Sequence, residues 1–181
     1  AYSLSSIEEI AEKSHAEGIK VHMDGARLFN AAAAMGYRVS DAVAPVDSVC
    51  VCLSKGLGAP VGSVLAGTAE FIGRSRRIRK ALGGGMRQAG VLAAAALYAV
   101  ENHRDRLAQD HANARRLAEG LALLPGVTLD LETVETNIVI FGTPGRSAPE
   151  LVAALAERGV LAVPSAAEQV RFVTHRDLDD E

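Results

Sequence analysis

The sequence contains no tryptophan, and aromatic residues make up only 4% of its 181 positions. A core must therefore be packed from aliphatic side chains, which are plentiful because hydrophobic residues make up 49% of the chain. Cysteine is also scarce: Cys50 and Cys52 lie two positions apart in a predicted strand and so share one face. Such neighbours are poor disulfide partners, and two thiols alone do not form a zinc site. We interpret both as small core side chains in a reducing compartment, and we expect a cytoplasmic protein.

Long apolar runs and a large excess of positive or negative charge are also missing. The longest apolar stretch, Ala89–Val100, is shorter than the roughly 18 residues that a membrane-spanning helix needs. A net charge of −3 gives no general attraction to nucleic acid or anionic lipid. The basic run Arg74–Lys80 lacks interleaved aromatic residues, which indicates a solvated helix face or a subunit contact. We expect neither a membrane nor a nucleic-acid partner.

Helix and strand patterns alternate in the first part of the chain. Predicted strands at Ile19–Met23 and Val49–Leu53 each follow a helical pattern, which is typical of a mainly parallel sheet with crossover helices. A longer helical pattern then changes at Glu101–His103 from apolar on all sides to amphipathic. We therefore assign residues 1–100 to the C-terminal part of a large α/β domain.

The remaining residues, 101–181, are predicted to form a linking helix and a small α+β domain. Its predicted strands are Val127–Leu131, Asn137–Phe141, Val160–Val163 and Gln169–Thr174, with one helix at Pro149–Arg158.

Lys55 is an unusual residue for its place in the sequence. It follows the apolar run Val49–Leu53 and is framed by glycines, so we expect its ammonium to be partly desolvated and its amine able to attack a carbonyl carbon. Asp24 follows another predicted strand, and Arg27 comes three residues later. Ligands of open α/β sheets bind beyond the carboxyl ends of the strands, so these side chains are expected to converge on one crevice. The alternative is a solvent-directed lysine and an aspartate that only caps a turn.

An amine, a carboxylate and a guanidinium in one crevice suit pyridoxal phosphate. This cofactor needs a lysine for its Schiff base and an acidic partner for its pyridinium nitrogen. Two other interpretations fit less well. Gly56–Gly62 lacks the spacing of a dinucleotide-binding loop and is followed by a strand. His22 and Asp24 have no third ligand nearby, so no metal site is predicted.

Three motifs in order closely resemble the low-specificity L-threonine aldolase family, which consists of fold-type I pyridoxal phosphate enzymes. They are HMDGARLFNA (His22–Ala31), LSKGLGAPVGS (Leu53–Ser63) and LGGGMRQAG (Leu82–Gly90). The segment RFVTH (Arg171–His175) is similar to the part of the family that binds the substrate carboxylate.

The resemblance implies a role for each matched residue. Lys55 would be the Schiff-base lysine and Asp24 the partner of the pyridinium nitrogen. Arg27 would lie beside the cofactor ring and, with Arg171, bind the substrate carboxylate. Arg87 would reach the cofactor phosphate across a subunit interface.

Two further residues are predicted to lie near the site. His175 would support Arg171, and Asn137 would line the site. Asn137 has a second interpretation, as a structural hydrogen-bonding residue at the start of a strand.

The implied reaction is retro-aldol cleavage of threonine or allo-threonine to glycine and acetaldehyde, in a homodimer or homotetramer. A β-eliminating lyase of the same fold and a truncated, non-catalytic assembly fragment remain as alternatives. The family's phosphate loop and catalytic base precede the first matched motif, and its final helix follows the last one. We therefore expect this chain to be part of a longer protein, and we expect the final helix to be missing from this part of it.

Overall fold

The computed structural model describes residues 1–178 and shows two compact units, Ala1–Asp105 and Arg106–Glu181. From the sequence, the corresponding boundary is expected after residue 100, which lies inside a helix that the structure continues to Asn102. The prediction that the family's final helix is missing concerns a part of the protein outside the described residues.

The first unit contains five helices and three strands, which alternate over its first half. In chain order they are α1 (Leu4–Ala16), β1 (His22–Asp24), α2 (Leu28–Met35), α3 (Val39–Val43), β2 (Ser48–Cys52), β3 (Ser63–Gly67), α4 (Ala69–Ala81) and α5 (Gly90–Asn102).

The three strands form one sheet in the order β1-β2-β3. β1 and β2 run parallel, as the alternation of helices and strands predicts, whereas β3 returns antiparallel to β2. The core beside this sheet is aliphatic and is built from Ile7, Leu28, Ala42 and Val49. The carboxyl ends of β1 and β2 therefore meet at one edge of a packed sheet.

Local chemistry explains the ends of the helices. The Ser3 hydroxyl accepts a hydrogen bond from the Ser6 amide at 3.1 Å and caps the start of α1. Helix α2 ends at Gly36, which has φ +72° and donates its amide to Ala32. That left-handed conformation costs glycine little, so the chain can reverse there towards α3.

A cluster around Asp47 ties the amino ends of β1 and β2 to the end of α1. The Asp47 carboxylate accepts hydrogen bonds from the Lys20 ammonium at 2.7 Å and from the Val21 amide at 2.8 Å, and it lies 2.8 Å from the His15 ring nitrogen Nε2. These hydrogen bonds hold the pKa of Asp47 well below its usual range. The bond from Lys20 has the largest effect, followed by the bonds from the Val21 amide and from His15.

The second unit packs two helices against an antiparallel sheet. Its elements are α6 (Leu107–Ala122), a 3-10 turn (Leu131–Thr133), β4 (Ile138–Gly142), α7 (Ala148–Ala156), β5 (Val163–Ala166) and β6 (Gln169–Val173). The strand order is β4-β6-β5, so β6 lies in the centre. Phe141 and Phe172 stack in its core with ring centroids 5.4 Å apart.

One predicted strand of this unit, Val160–Val163, is displaced, because β5 occupies Val163–Ala166. Another predicted strand is wrong. Residues 127–131 form no strand: Thr128 makes a single antiparallel bridge with Gly142, and the chain then enters the 3-10 turn. The Asp130 side chain accepts a hydrogen bond from the Glu132 amide at 3.0 Å and caps that turn. Apolar residues at this position pack against the core without joining the sheet, so their pattern resembles that of a strand.

Candidate active site

Asp24 is the last residue of one strand and Lys55 comes shortly after the end of its neighbour, at the same edge of the first sheet. β1 ends at Asp24, and the parallel register places Asp24 opposite Cys50. β2 ends at Cys52, and Lys55 follows in the next turn. The predicted placement of these two side chains at the carboxyl ends of neighbouring parallel strands is thus present in the structure.

The chain passes close to β2 directly after Asp24. The Gly25 amide donates to the Cys50 carbonyl at 2.8 Å, and a Cβ at Gly25 would lie only 3.1 Å from both that oxygen and the Val49 side chain. A side chain at this position would therefore crowd β2 where the chain leaves β1. The Asp24 carboxylate is exposed, and it accepts a hydrogen bond from the Ala26 amide at 3.1 Å.

Arg27 lies on the turn between Asp24 and helix α2. It is the residue before the first turn of α2, where its carbonyl accepts the Ala31 amide at 3.0 Å. The Leu28 amide donates to the Gly25 carbonyl at 2.9 Å, which fixes this turn against the end of β1. Arg27 is half-buried and lies on the same turn as Asp24.

The loop that carries Lys55 is closed on itself by backbone hydrogen bonds. The Leu53 amide donates to Gly62, the Ala59 amide to Leu53, and the Gly58 amide to Lys55 at 2.9 Å. The expected desolvation of Lys55 is wrong for the unit as the structure describes it, because the residue is exposed. Its neighbour Leu57 takes the buried place in the loop, with 2% of its surface exposed.

His103, at the end of the segment where the helical pattern changes, has a specific place in the structure. It is buried, and its Nδ1 lies 2.6 Å from the Leu57 carbonyl oxygen in the Lys55 loop. A signal in the sequence was the break in helical character at Glu101–His103, where the structure ends α5. Nothing local to that break indicates a contact with residues so far back in the chain.

Arg87 lies apart from these residues in the described contacts. It is exposed on the segment that connects α4 to α5. No hydrogen bond or ion pair within residues 1–178 joins its side chain to Asp24 or Lys55. Its predicted contact with a cofactor phosphate stays a prediction.

Arg171 occupies the central strand of the second unit. It pairs with Ile140 of β4 and Val163 of β5, and it alternates with the buried Val170 and Phe172. Its side chain therefore leaves the sheet on the face opposite the core, where it is half-buried.

His175 and Asn137 differ in their surroundings. His175 is exposed, and its Nδ1 accepts a hydrogen bond from the Asp177 amide at 3.3 Å rather than contacting Arg171. Asn137 is completely buried, and its side-chain amide donates to the Thr174 carbonyl at 2.7 Å. The structure supports the structural interpretation of Asn137, while a role of either residue behind the site stays a prediction.

The donor set at the first sheet edge fits pyridoxal phosphate by its chemistry. Lys55 offers an amine that, among the described residues, no carboxylate neutralises. Asp24 offers a carboxylate with one backbone donor, which leaves oxygen lone pairs for a protonated ring nitrogen. No cluster of three or more histidine, cysteine or acidic side chains that could hold a metal ion occurs within residues 1–178. In that same part of the chain, none of the helices has the length and apolar character to cross a bilayer.

Comparison with known proteins gives consistent matches. A family model described as β-eliminating lyase matches residues 1–143. Low-specificity L-threonine aldolase 1 of Arabidopsis thaliana is 44% identical over 97% of this chain and 50% of its own length. Low specificity L-threonine aldolase of Escherichia coli K12 is 41% identical over 97% of this chain and 51% of its own length.

A solved structure agrees with these matches. A protein from Listeria monocytogenes assigned as an L-allo-threonine aldolase superposes with a TM-score of 0.82 at 26% identity, over 98% of this chain and 52% of that protein. The chain thus spans about half the length of the relatives that it matches.

Proposed function

This chain belongs to the β-eliminating lyase family, and we propose that it carries part of the active site of a low-specificity threonine aldolase. The proposed reaction is cleavage of the Cα–Cβ bond of threonine or allo-threonine, which gives glycine and acetaldehyde. The relatives named as L-threonine aldolases, and the structural neighbour assigned to the allo substrate, support this substrate class.

One observation carries the proposal. The parallel pairing of β1 with β2 places Asp24 opposite Cys50, on the strand that leads to Lys55, so both side chains lie at the carboxyl edge of the sheet. The motifs that resemble the family contain these two residues. A structural role alone does not explain an exposed lysine and an exposed aspartate at this edge, each followed directly by a glycine.

Pyridoxal phosphate, when bound, supplies an electron sink for the carbanion that the substrate α-carbon becomes once the aldehyde leaves. The Lys55 amine would bind the cofactor carbonyl carbon and would be released when the amino group of the substrate takes its place. Asp24 would keep a proton on the ring nitrogen, because a carboxylate beside that atom stabilises its charged form. The exposure of both side chains in the first unit leaves them accessible to such a ligand.

The arginines would hold the substrate. A guanidinium binds a carboxylate through two parallel hydrogen bonds, which fixes the orientation of the amino acid as well as its affinity. We assign this role to Arg27 and Arg171, both of which are half-buried. A fixed carboxylate sets which bond at the α-carbon is aligned for cleavage, and this alignment favours loss of the aldehyde.

We also propose a homodimer or homotetramer in which Arg87 serves the site of a neighbouring subunit. The exposure of Arg87 and its lack of an intrachain partner in the described residues support this role. The free thiols of Cys50 and Cys52 support a reducing, cytoplasmic location.

The test is an absorbance titration of the full-length protein with pyridoxal phosphate, followed by addition of glycine. We expect a cofactor band near the visible edge that is lost in Lys55→Ala, and a red-shifted band after glycine is added. Lys13→Ala is the matched control, because Lys13 is an exposed lysine on α1 paired with Glu9. A protein whose spectrum is the same in the parent and in Lys55→Ala would refute the cofactor assignment and favour a non-catalytic assembly role.

A β-eliminating lyase is the second candidate, because the matching family model has that description. Product analysis separates the two reactions. An aldolase releases glycine and an aldehyde in equal amounts, whereas β-elimination from the same kind of substrate releases ammonia and a 2-oxo acid.

A further inference from the structure

His103 and the Lys55 loop are connected across a long stretch of sequence. We propose that His103 is a positioning residue, which orients Lys55 by holding the carbonyl group of Leu57. The inference rests on the proposed function, because that function gives Lys55 its role.

The hydrogen bond fixes one feature of the histidine. Its Nδ1 lies 2.6 Å from the Leu57 carbonyl oxygen. A carbonyl oxygen can only accept, so Nδ1 must carry the hydrogen and act as the donor. His103 is 9% exposed and Leu57 is 2% exposed, which means that water contributes little to this contact. A donor removed from such a place leaves a buried carbonyl without a partner.

His103 anchors this loop from outside, whereas the hydrogen bonds within the loop close it on itself. The bonds Leu53 to Gly62 and Ala59 to Leu53 close the loop on itself, and the Gly58 amide bonds to the Lys55 carbonyl. Gly58 has φ +71°, so the turn directly after Leu57 is a left-handed one that glycine adopts easily. The His103 hydrogen bond adds a restraint from a side chain outside the loop, at the carbonyl directly before Gly58.

His103 is itself held in place, so that it can serve as such an anchor. Its amide donates to the Ala99 carbonyl at 2.9 Å at the end of α5. Its ring meets the Tyr98 ring edge-on, with centroids 5.5 Å apart and an interplanar angle of 81°. The imidazole therefore connects the end of α5 to the residue two positions after Lys55, and a change in its donor should move the lysine amine.

The experiment compares the variants His103→Asn, His103→Gln and His103→Leu in the full-length protein. Asn places an amide donor at the position of Nδ1, whereas Gln places it one bond further out, and Leu removes it. The first readout is hydrogen exchange at the Gly58 and Ala59 amides, measured without cofactor. We expect exchange about five- to tenfold faster in His103→Gln and His103→Leu, and closer to the parent in His103→Asn.

The second readout is the reaction itself. We expect kcat to fall about tenfold in His103→Gln with little change in KM for threonine, because the lysine is displaced while the carboxylate-binding arginines are untouched. His103→Asn should recover most of that loss. The Gly25 amide, which bonds to Cys50 in the sheet, reports whether each variant keeps its fold.

Equal exchange rates of the loop amides in His103→Asn and His103→Gln would overturn the proposal and leave His103 as a packing residue. A loss of kcat that is as large in His103→Asn as in His103→Gln would do the same. The exchange measurement decides this even if the parent forms no Lys55-dependent absorbance band, a result that would overturn the cofactor assignment instead. If His103→Leu does not fold, the comparison of Asn with Gln still gives the answer, because both are polar amides and differ by one methylene group, which sets where the donor lies.

Discussion

Asp24 faces Cys50 across the parallel pair of strands β1 and β2, and the Gly25 amide donates to the carbonyl of that same cysteine. The turn after Asp24 is thereby fixed to the strand that continues towards Lys55. Because the contact is made by backbone atoms, substitutions of the Asp24 side chain can test its chemistry without disturbing this junction.

Asp24→Asn should lower kcat for threonine cleavage by about a hundredfold, because the amide is neutral and cannot stabilise a proton on the cofactor ring nitrogen. The amide oxygen can still accept the Ala26 hydrogen bond, so the turn is preserved. Steady-state kinetics and the Lys55-dependent absorbance band, which should persist, check the prediction. Asp41→Asn, an exposed substitution on α3, serves as control. A variant at Asp24 with the parent's kcat would contradict the assigned role.

Arg171→Lys should raise KM for threonine about tenfold, since lysine keeps the charge but loses the bidentate hydrogen bonds to a carboxylate. Arg158→Lys provides the matched control, because Arg158 lies in the turn after α7 of the same unit and donates to the Ala154 carbonyl. Initial rates over a range of threonine concentrations give both constants. An equal change in the two variants would indicate a general effect of the substitution and not substrate binding.

Asp47 should make the stability of the first unit depend on pH in the acid range. Its pKa is lowered in the folded state, chiefly by the Lys20 ammonium, so its ionised form stabilises the fold. This contribution is complete above the ordinary pKa of an aspartate, about 4, and is lost as the pH falls further towards the folded value. The difference in urea midpoint between the parent and Asp47→Asn should be constant from about pH 5 to 7 and shrink below about pH 4. A difference that grows on acidification would contradict this sign.

Asn137→Ala should destabilise the second unit by about 1–3 kcal/mol, because it leaves the buried Thr174 carbonyl without its side-chain donor. The Thr174 amide also donates to the Asn137 carbonyl at 3.0 Å, so the two residues join the start of β4 to the end of β6. Denaturant unfolding measures the loss. Gln109→Ala, an exposed amide on α6, should change stability by less than about 0.5 kcal/mol. Similar losses for both substitutions would show that burial of Asn137 contributes nothing specific.

The sequence by itself determined the family, the fold class and most of the elements in order. Hydrophobic periodicity and glycine positions are local properties, so the strand Ser63–Gly67 and the helix break near His103 could be predicted from neighbouring residues alone. The predicted family and fold class are confirmed by the family model and by the superposed structure. The placement of Asp24 and Lys55 after strands follows from the same local pattern.

The tertiary structure alone decided the relationships between distant residues. The antiparallel return of β3, the exposure of Lys55, and the absence of a strand at residues 127–131 depend on which surfaces pack together. The hydrogen bonds of His103 with Leu57 and of Asn137 with Thr174 join residues that are far apart in the chain. A sequence pattern records which side chains prefer burial, but the partner of a buried polar group is fixed only when the folded backbone brings the two together.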